Sequence, residues 1–264
     1  MVRAKRRLGQ HFLTDPTILT RIADALGAGP GDAVLEIGPG RGDLTQALLA
    51  RAGQVTAIEK DRDLIAPLRQ RVPHARIVEG DALELEWAAL VQPPYLVAGN
   101  IPYNITSPLL DKVLVPPRPT RIVFLLQKEV AERITAPAGT PQYGALSVGI
   151  QTAARAERLF TVPAGAFQPR PKVDSALLRI IPLAEPLVGD ADRESFRALV
   201  VGLFGFRRKQ MLRALREFTD WDASRLSKVL AEVGIAEKAR PEVVAPSEFV
   251  RLHRALVDAG WPAR

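Results

Sequence analysis

The chain has 264 residues, 47% of them hydrophobic, with no cysteine, three histidines and a formal net charge of +7. That is enough apolar side chain for one large domain or two modest ones, and it excludes a disulfide framework, a thiolate metal site and a cysteine nucleophile. A positive balance with a sequence pI near 10.0 favours a polyanionic partner, because Lys and Arg gain affinity by releasing counterions from phosphates.

Taken in chain order, the basic start Arg3-Ala4-Lys5-Arg6-Arg7 is not followed by the apolar core of a signal peptide, and no later run approaches the roughly 20 apolar residues of a membrane span. A cytoplasmic protein is expected. Residues 14–27 predict a helix, with Ile18, Leu19, Ile22, Ala25 and Leu26 at helical spacing and Gly27 as its stop. Residues 33–37 predict a strand, Gly38-Pro39-Gly40-Arg41-Gly42 a tight turn, and 44–52 a helix. Strand, glycine turn and helix together make a nucleotide-binding opening. A second strand over 54–58 runs into Glu59, about 20 residues beyond the glycines, where a carboxylate accepts ribose hydroxyls. A third, 75–79, ends in Gly80-Asp81, a carboxylate suited to an adenine amino group. A fourth apolar run leads into Asn100-Ile101-Pro102-Tyr103. Glu36, Glu59, Asp81 and Asn100 then fall along one carboxyl edge of a parallel sheet.

The fourth of these segments carries the chemistry. The exocyclic N6 of adenine is a poor nucleophile because its lone pair is delocalised into the ring. The Asn100 side-chain oxygen and the Ile101 carbonyl can each accept one N6 hydrogen, drawing that nitrogen toward tetrahedral geometry with its lone pair facing a methyl donor. This is catalysis by positioning and electrostatics. Tyr103 offers a face on which an extruded base stacks, worth roughly 1–3 kcal/mol, and Pro102 stiffens the turn. The alternative is an ordinary strand-to-loop turn.

Further along, 121–126 predicts a fifth strand, 129–134 a helix, 136–142 a loop, 144–155 a helix and 176–181 a late strand. Phe167 reads equally as a second stacking face for the target base or as a core aromatic under the Pro169 and Pro171 turns. His11, His74 and His253 are too scattered for a metal centre. A composition shift over 182–192 marks a boundary, after which Phe196, Leu199, Val200, Leu203, Leu226, Val229 and Leu230 repeat at helical intervals. The expected architecture is α/β: a doubly wound Rossmann-like sheet domain over 1–184 and a small helical domain over 185–264. Arg170 with Lys172, and Arg207-Arg208-Lys209, add two basic clusters to that of the N-terminus.

Read in order, Leu8-Gly9-Gln10-His11-Phe12-Leu13, Glu36-Ile37-Gly38-Pro39-Gly40, Asn100-Ile101-Pro102-Tyr103-Asn104-Ile105, Leu126-Gln127-Lys128-Glu129-Val130, Tyr143-Gly144-Ala145-Leu146-Ser147-Val148 and Phe167 to Ser175 resemble the motifs of the S-adenosylmethionine-dependent rRNA adenine N6,N6-dimethyltransferases. The resemblance spans nearly the whole chain and is greatest to the small-subunit group, which modifies two adjacent adenines near the 3′ end of that RNA. It implies a methyltransferase domain that binds S-adenosylmethionine, a helical RNA-binding domain, and a monomer acting on small-subunit rRNA or the pre-ribosomal subunit. By it, His11, Leu13, Gly38, Glu59, Asp81 and Asn100 contact the cofactor or its surroundings, beside Gly40 of the glycine turn. Asn100, Tyr103 and Phe167 border the target base, and Arg207, Arg208 and Lys209 meet RNA. The chain departs from the family at Arg213-Ala214-Leu215, where Asn-Ser-Leu is usual. Alternatives are the related large-subunit adenine methyltransferases of macrolide resistance, a non-enzymatic RNA-binding relative, and a nicotinamide-dependent oxidoreductase built on the same glycine turn.

Overall fold

A computed structural model describes residues 4, 5 and 8–262. The basic residues Arg3, Arg6 and Arg7 of the expected N-terminal cluster lie outside the described residues. The chain forms two compact units, one of residues up to Ala131 with Ala156–Pro182, the other of Glu132–Arg155 with Leu183 onward.

The first unit is built on β2 (Ala33–Ile37), β3 (Gln54–Glu59), β4 (Arg76–Glu79), β5 (Tyr95–Asn100) and β6 (Arg121–Gln127), all parallel where they pair. The sheet order is β4-β3-β2-β5-β6, continued by β9 (Ser175–Pro182), antiparallel to β6, and by β7 (Ala154–Val162) at the edge. Val34, Val55, Leu96, Ala98 and Val123 pack on α1 (Pro16–Leu26) and α2 (Asp43–Leu49). Leu35, Ile37, Ile58, Val97, Ile122 and Phe124, of opposite parity, are also buried. Near-continuous apolar strands are what a sheet covered on both faces requires. The order reverses between β2 and β5, and in a doubly wound sheet the crevice outside the carboxyl ends at such a switch point is the ligand site.

Local chemistry fixes the boundaries. Asp15 caps α1, its Oδ1 accepting the amides of Thr17 and Ile18 at 2.9 and 3.1 Å, and Gly27 ends it in the left-handed region at φ 65°. Gly40 also has a positive φ, 58°, and a Cβ there would stand 2.9 Å from the Phe12 ring, so only glycine allows both the turn and the packing above it. Two short strands were not expected: β1 (Phe12–Leu13) pairs antiparallel with β8 (Phe167–Gln168). The helix expected over 144–155 is shorter, α6 (Ala145–Gln151), and β7 starts at Ala154. As an edge strand β7 leaves most of its side chains wholly or partly exposed, so it carries no apolar alternation to announce it.

The second unit contains α7 (Arg193–Gly205), α8 (Met211–Thr219), α9 (Ala223–Val233) and α10 (Pro246–Asp258) around a core that includes Phe196, Leu203, Leu215, Leu230 and Phe249. Tyr143 is fully buried in this core and donates its hydroxyl to the Val244 carbonyl at 2.7 Å; Val148 joins it. Residues 132–155, which the division at 184/185 assigned to the sheet domain, therefore pack with the helices. The later boundary, Pro182 to Leu183, lies two residues from the expected one.

Candidate active site

A single cleft at the carboxyl ends of β2, β3 and β5 is lined by residues 8–13, the glycine turn, Glu36, Glu59, Asp81 and 100–105. It brings together His11, Leu13, Gly38, Gly40, Glu59, Asp81, Asn100 and Tyr103. Phe167 does not line it. With 5% of its surface exposed it packs among Leu13, Leu19 and Val162, as a core aromatic does.

Glu59 is the best-fixed acid in the cleft. Its Oε2 accepts the Gly40 amide at 3.0 Å and its Oε1 the Asp61 amide at 2.8 Å, which ties the end of β3 to the glycine turn. Burial raises its carboxyl above the usual range, opposed by those two amides. A carboxylate with two oxygens keeps lone pairs free for ribose hydroxyls. Asp81 is occupied differently: Oδ1 accepts the Leu83 amide at 2.9 Å and Oδ2 pairs with Lys60 at 2.5 Å. Desolvation would raise it, but the bonds from Lys60 and Leu83 outweigh that and hold it below its usual range.

Glu36 stands apart, 1% exposed with no partner for Oε2; the Thr45 hydroxyl lies beside it but outside hydrogen-bond geometry. Burial pushes its carboxyl up to about 8, the Thr45 hydroxyl opposes the rise in part, and the charges of Glu59 and Asp43 add to it. A carboxyl raised in this way favours the fold when protonated. Its contribution is complete below pH 4.5 and is lost as pH rises through about 8, roughly 4–5 kcal/mol in all at about 1.4 kcal/mol per unit. In ligand-free protein, Glu36→Gln should therefore flatten the decline in melting temperature between pH 5 and 9. Parallel pH profiles for parent and variant would show that Glu36 ionises freely.

Asn100 ends β5 with its amide orientation dictated by chemistry. Nδ2 lies 2.8 Å from the His11 carbonyl, which can only accept, so Nδ2 is the donor. Oδ1, the amide's only acceptor, has no protein partner among the described residues and belongs to the cleft wall. His11 stacks on Tyr103 with ring centroids 5.9 Å apart and interplanar angle 27°, and its Nδ1 donates to the Pro169 carbonyl at 2.7 Å. The Tyr103 hydroxyl is 3.1 Å from the buried Ser175 Oγ, which fixes the ring plane. Sequence reasoning missed Gln10 and Asp61, whose side chains meet across 51 residues at 2.9 Å. Asp61 reads locally as a helix cap, and nothing in the sequence signals so distant a partner.

The basic cluster of the second unit is largely engaged. Arg207 donates to Glu242 at 2.7 Å and to the Pro141 carbonyl at 2.8 Å, clamping the loop before α6, while Lys209 pairs with Glu217; Arg208 is exposed.

A family model described as ribosomal RNA adenine dimethylase matches residues 1–256. The chain is 41% identical over 268 residues to a protein of Geobacter sulfurreducens named ribosomal RNA small subunit methyltransferase A, covering 98% of this chain and 97% of that protein. It is 42% identical over 265 residues to the one of that name from Bordetella pertussis, covering 98% and 96%. Among solved structures it is similar to a dimethyladenosine transferase from Plasmodium falciparum, with TM-score 0.83, 27% identity and coverage of 95% of this chain and 99% of that one. It is also similar to the 23S rRNA methyltransferase ErmE, with TM-score 0.73, 31% identity and coverage of 93% and 99%.

Proposed function

The chain belongs to the ribosomal RNA adenine dimethylase family, and from this membership together with the cleft we propose that it transfers methyl groups to N6 of two adjacent adenines near the 3′ end of small-subunit rRNA. It is an rRNA adenine dimethyltransferase of the small-subunit kind. The observation that carries the site assignment is Asn100, whose amide is held by the His11 carbonyl with Oδ1 left for an acceptor amine. Relatives at 41–42% identity over nearly the full chain carry the small-subunit name, against 31% for the large-subunit methyltransferase.

The family implies a methyl donor of the S-adenosylmethionine type, and the cleft fits one. The buried Glu36 Oε2, which lacks a partner, leaves a polar atom for a ligand to satisfy, Glu59 suits ribose hydroxyls, and Asp81 suits an adenine amine. When bound, such a cofactor supplies an electrophilic methyl on a sulfonium. The chain's own contribution is to position the acceptor. Asn100 Oδ1 and the Ile101 carbonyl take the two N6 hydrogens, and Tyr103 holds the base plane. The amine loses its proton to water after transfer, so no protein base is needed. For the second methyl only one N6 hydrogen remains, and the amine turns to present its lone pair again.

Mass spectrometry of small-subunit rRNA from cells with and without this protein tests the reading: paired N6,N6-dimethyladenines should vanish with the gene, and their persistence would overturn it. The basic cluster gives a second test. Neutralising Arg208 should lower the salt slope of RNA binding by about 0.7–0.9 and leave stability alone. Arg207→Ala should instead lower stability by about 1 kcal/mol through the lost clamp. A salt slope unchanged in the Arg207, Arg208, Lys209 triple variant would remove the cluster from the interface.

A further inference from the structure

Residues 8–14, which line the cleft over 8–13, form a strap that is fastened, with Lys5, at three points. At one end Lys5 pairs with Asp61 and, at 2.6 Å, with Asp63. Gln10 Nε2 donates to Asp61 Oδ2 at 2.9 Å while its Oε1 accepts the Lys5 amide at 2.8 Å. In the middle, the His11 carbonyl accepts from Asn100. At the far end β1 pairs with β8, and the Thr14 amide donates to the Ala166 carbonyl at 3.1 Å.

Asp61 is the anchor. Its side chain is 1% exposed, and among the described residues the cation paired with it is Lys5 of the strap. Burial alone would raise its carboxyl, but the bonds from Lys5 and Gln10 outweigh this and hold it below its usual range. A buried carboxylate that loses its partners is left uncompensated, so the strap is favoured in its closed position by the charge it neutralises. The Asp61 amide in turn holds Glu59 Oε1. One residue thus joins the ribose-side acid to the strap that carries the His11 carbonyl.

We propose that Asp61 is a positioning residue for methyl transfer: by gripping Lys5 and Gln10 it fixes the strap, and the strap's His11 carbonyl orients the Asn100 amide toward the acceptor amine. The proposal rests on the methyltransferase reading above. An Asn100 freed from His11 can flip and present Nδ2, a donor, to an amine that needs an acceptor, so slack in the strap appears as a slower chemical step.

The test uses Asp61→Asn, which keeps the backbone amide and the acceptor oxygen for the Asp63 amide but loses the charge, and Lys5→Met, a partly exposed site that leaves the test standing if Asp61→Asn does not fold. Hydrogen exchange of residues 8–13 in ligand-free protein should quicken about tenfold or more in either variant. The single-turnover rate on small subunits lacking the modification should fall about tenfold at saturating cofactor. In an Asn100→Ala background, Asp61→Asn should cost no further rate, which a merely structural role would not produce. Unchanged exchange, or an equal rate loss with and without Asn100, overturns the proposal. A parent protein that methylates no small-subunit RNA overturns the underlying reading as well, and the exchange experiment, which needs no substrate, tells the two failures apart.

Discussion

Asn100→Ala should cut the single-turnover methylation rate by about 10²–10³, the loss seen when one preorganised transition-state contact is removed, and far more than it lowers RNA affinity. In the ground state the adenine amine is nearly planar and its hydrogens find water or protein equally well. Only as the lone pair localises toward the methyl does a fixed acceptor stabilise the reacting nitrogen more than water can, so the contact is felt in the chemical step. Asn100→Asp sharpens the test. It keeps the shape but replaces the donor on His11 with a second oxygen facing a carbonyl 2.8 Å away, so the side chain must turn or the strap must move. Both variants should be slow, for different reasons, and Asn100→Asp, which adds a repulsion where Asn100→Ala only loses the bond to the His11 carbonyl, should loosen residues 8–13 the more. Tyr103→Ala should weaken base capture and rate, whereas Tyr103→Phe keeps the stacking face and loses only the 3.1 Å contact to Ser175. A parental rate for Asn100→Ala at saturating RNA and cofactor would reduce the Asn-Ile-Pro-Tyr segment to a turn.

What was legible in the sequence was the part written in strand periodicity and turn chemistry. Four apolar runs, each with a polar residue at or next to its end, place Glu36, Glu59, Asp81 and Asn100 at one sheet edge, because parallel strands joined by right-handed crossovers leave no other place for their carboxyl ends. Gly40 was legible because a tight strand-to-helix turn needs a positive φ. What was not legible depended on partners far apart in the chain. Phe167 has the same composition cues in a core as over a substrate, and only its burial beside Leu13 separates the two. Arg207 looks like a phosphate contact until Glu242 is found 2.7 Å away. Tyr143 and Val148 precede the composition shift near residue 184, so nothing local reveals that they complete a core made by helices that begin about 45–50 residues later.

Glu59→Ala should weaken cofactor binding by roughly 1–3 kcal/mol, about tenfold to a hundredfold, from the loss of charged hydrogen bonds to the ribose. The geometry adds a second cost. The buried carboxylate also satisfies the amides of Gly40 and Asp61, so its removal leaves two N–H groups without partners and frees the glycine turn from the end of β3. Melting temperature should drop along with affinity. Glu59→Gln separates the two effects, since its single acceptor oxygen can keep one amide but its NH2 meets the other donor head-on. Affinity should therefore fall between those of parent and Ala. Because burial raises this carboxyl, protonation reaches it earlier than an exposed acid as pH falls, and cofactor affinity should decline on the acid side in the parent but not in Glu59→Gln. Calorimetry with S-adenosylmethionine and its demethylated product across pH reads all three. Equal affinity for parent and Glu59→Ala would place the ribose elsewhere, and with it the assignment of the β3 edge as the cofactor wall.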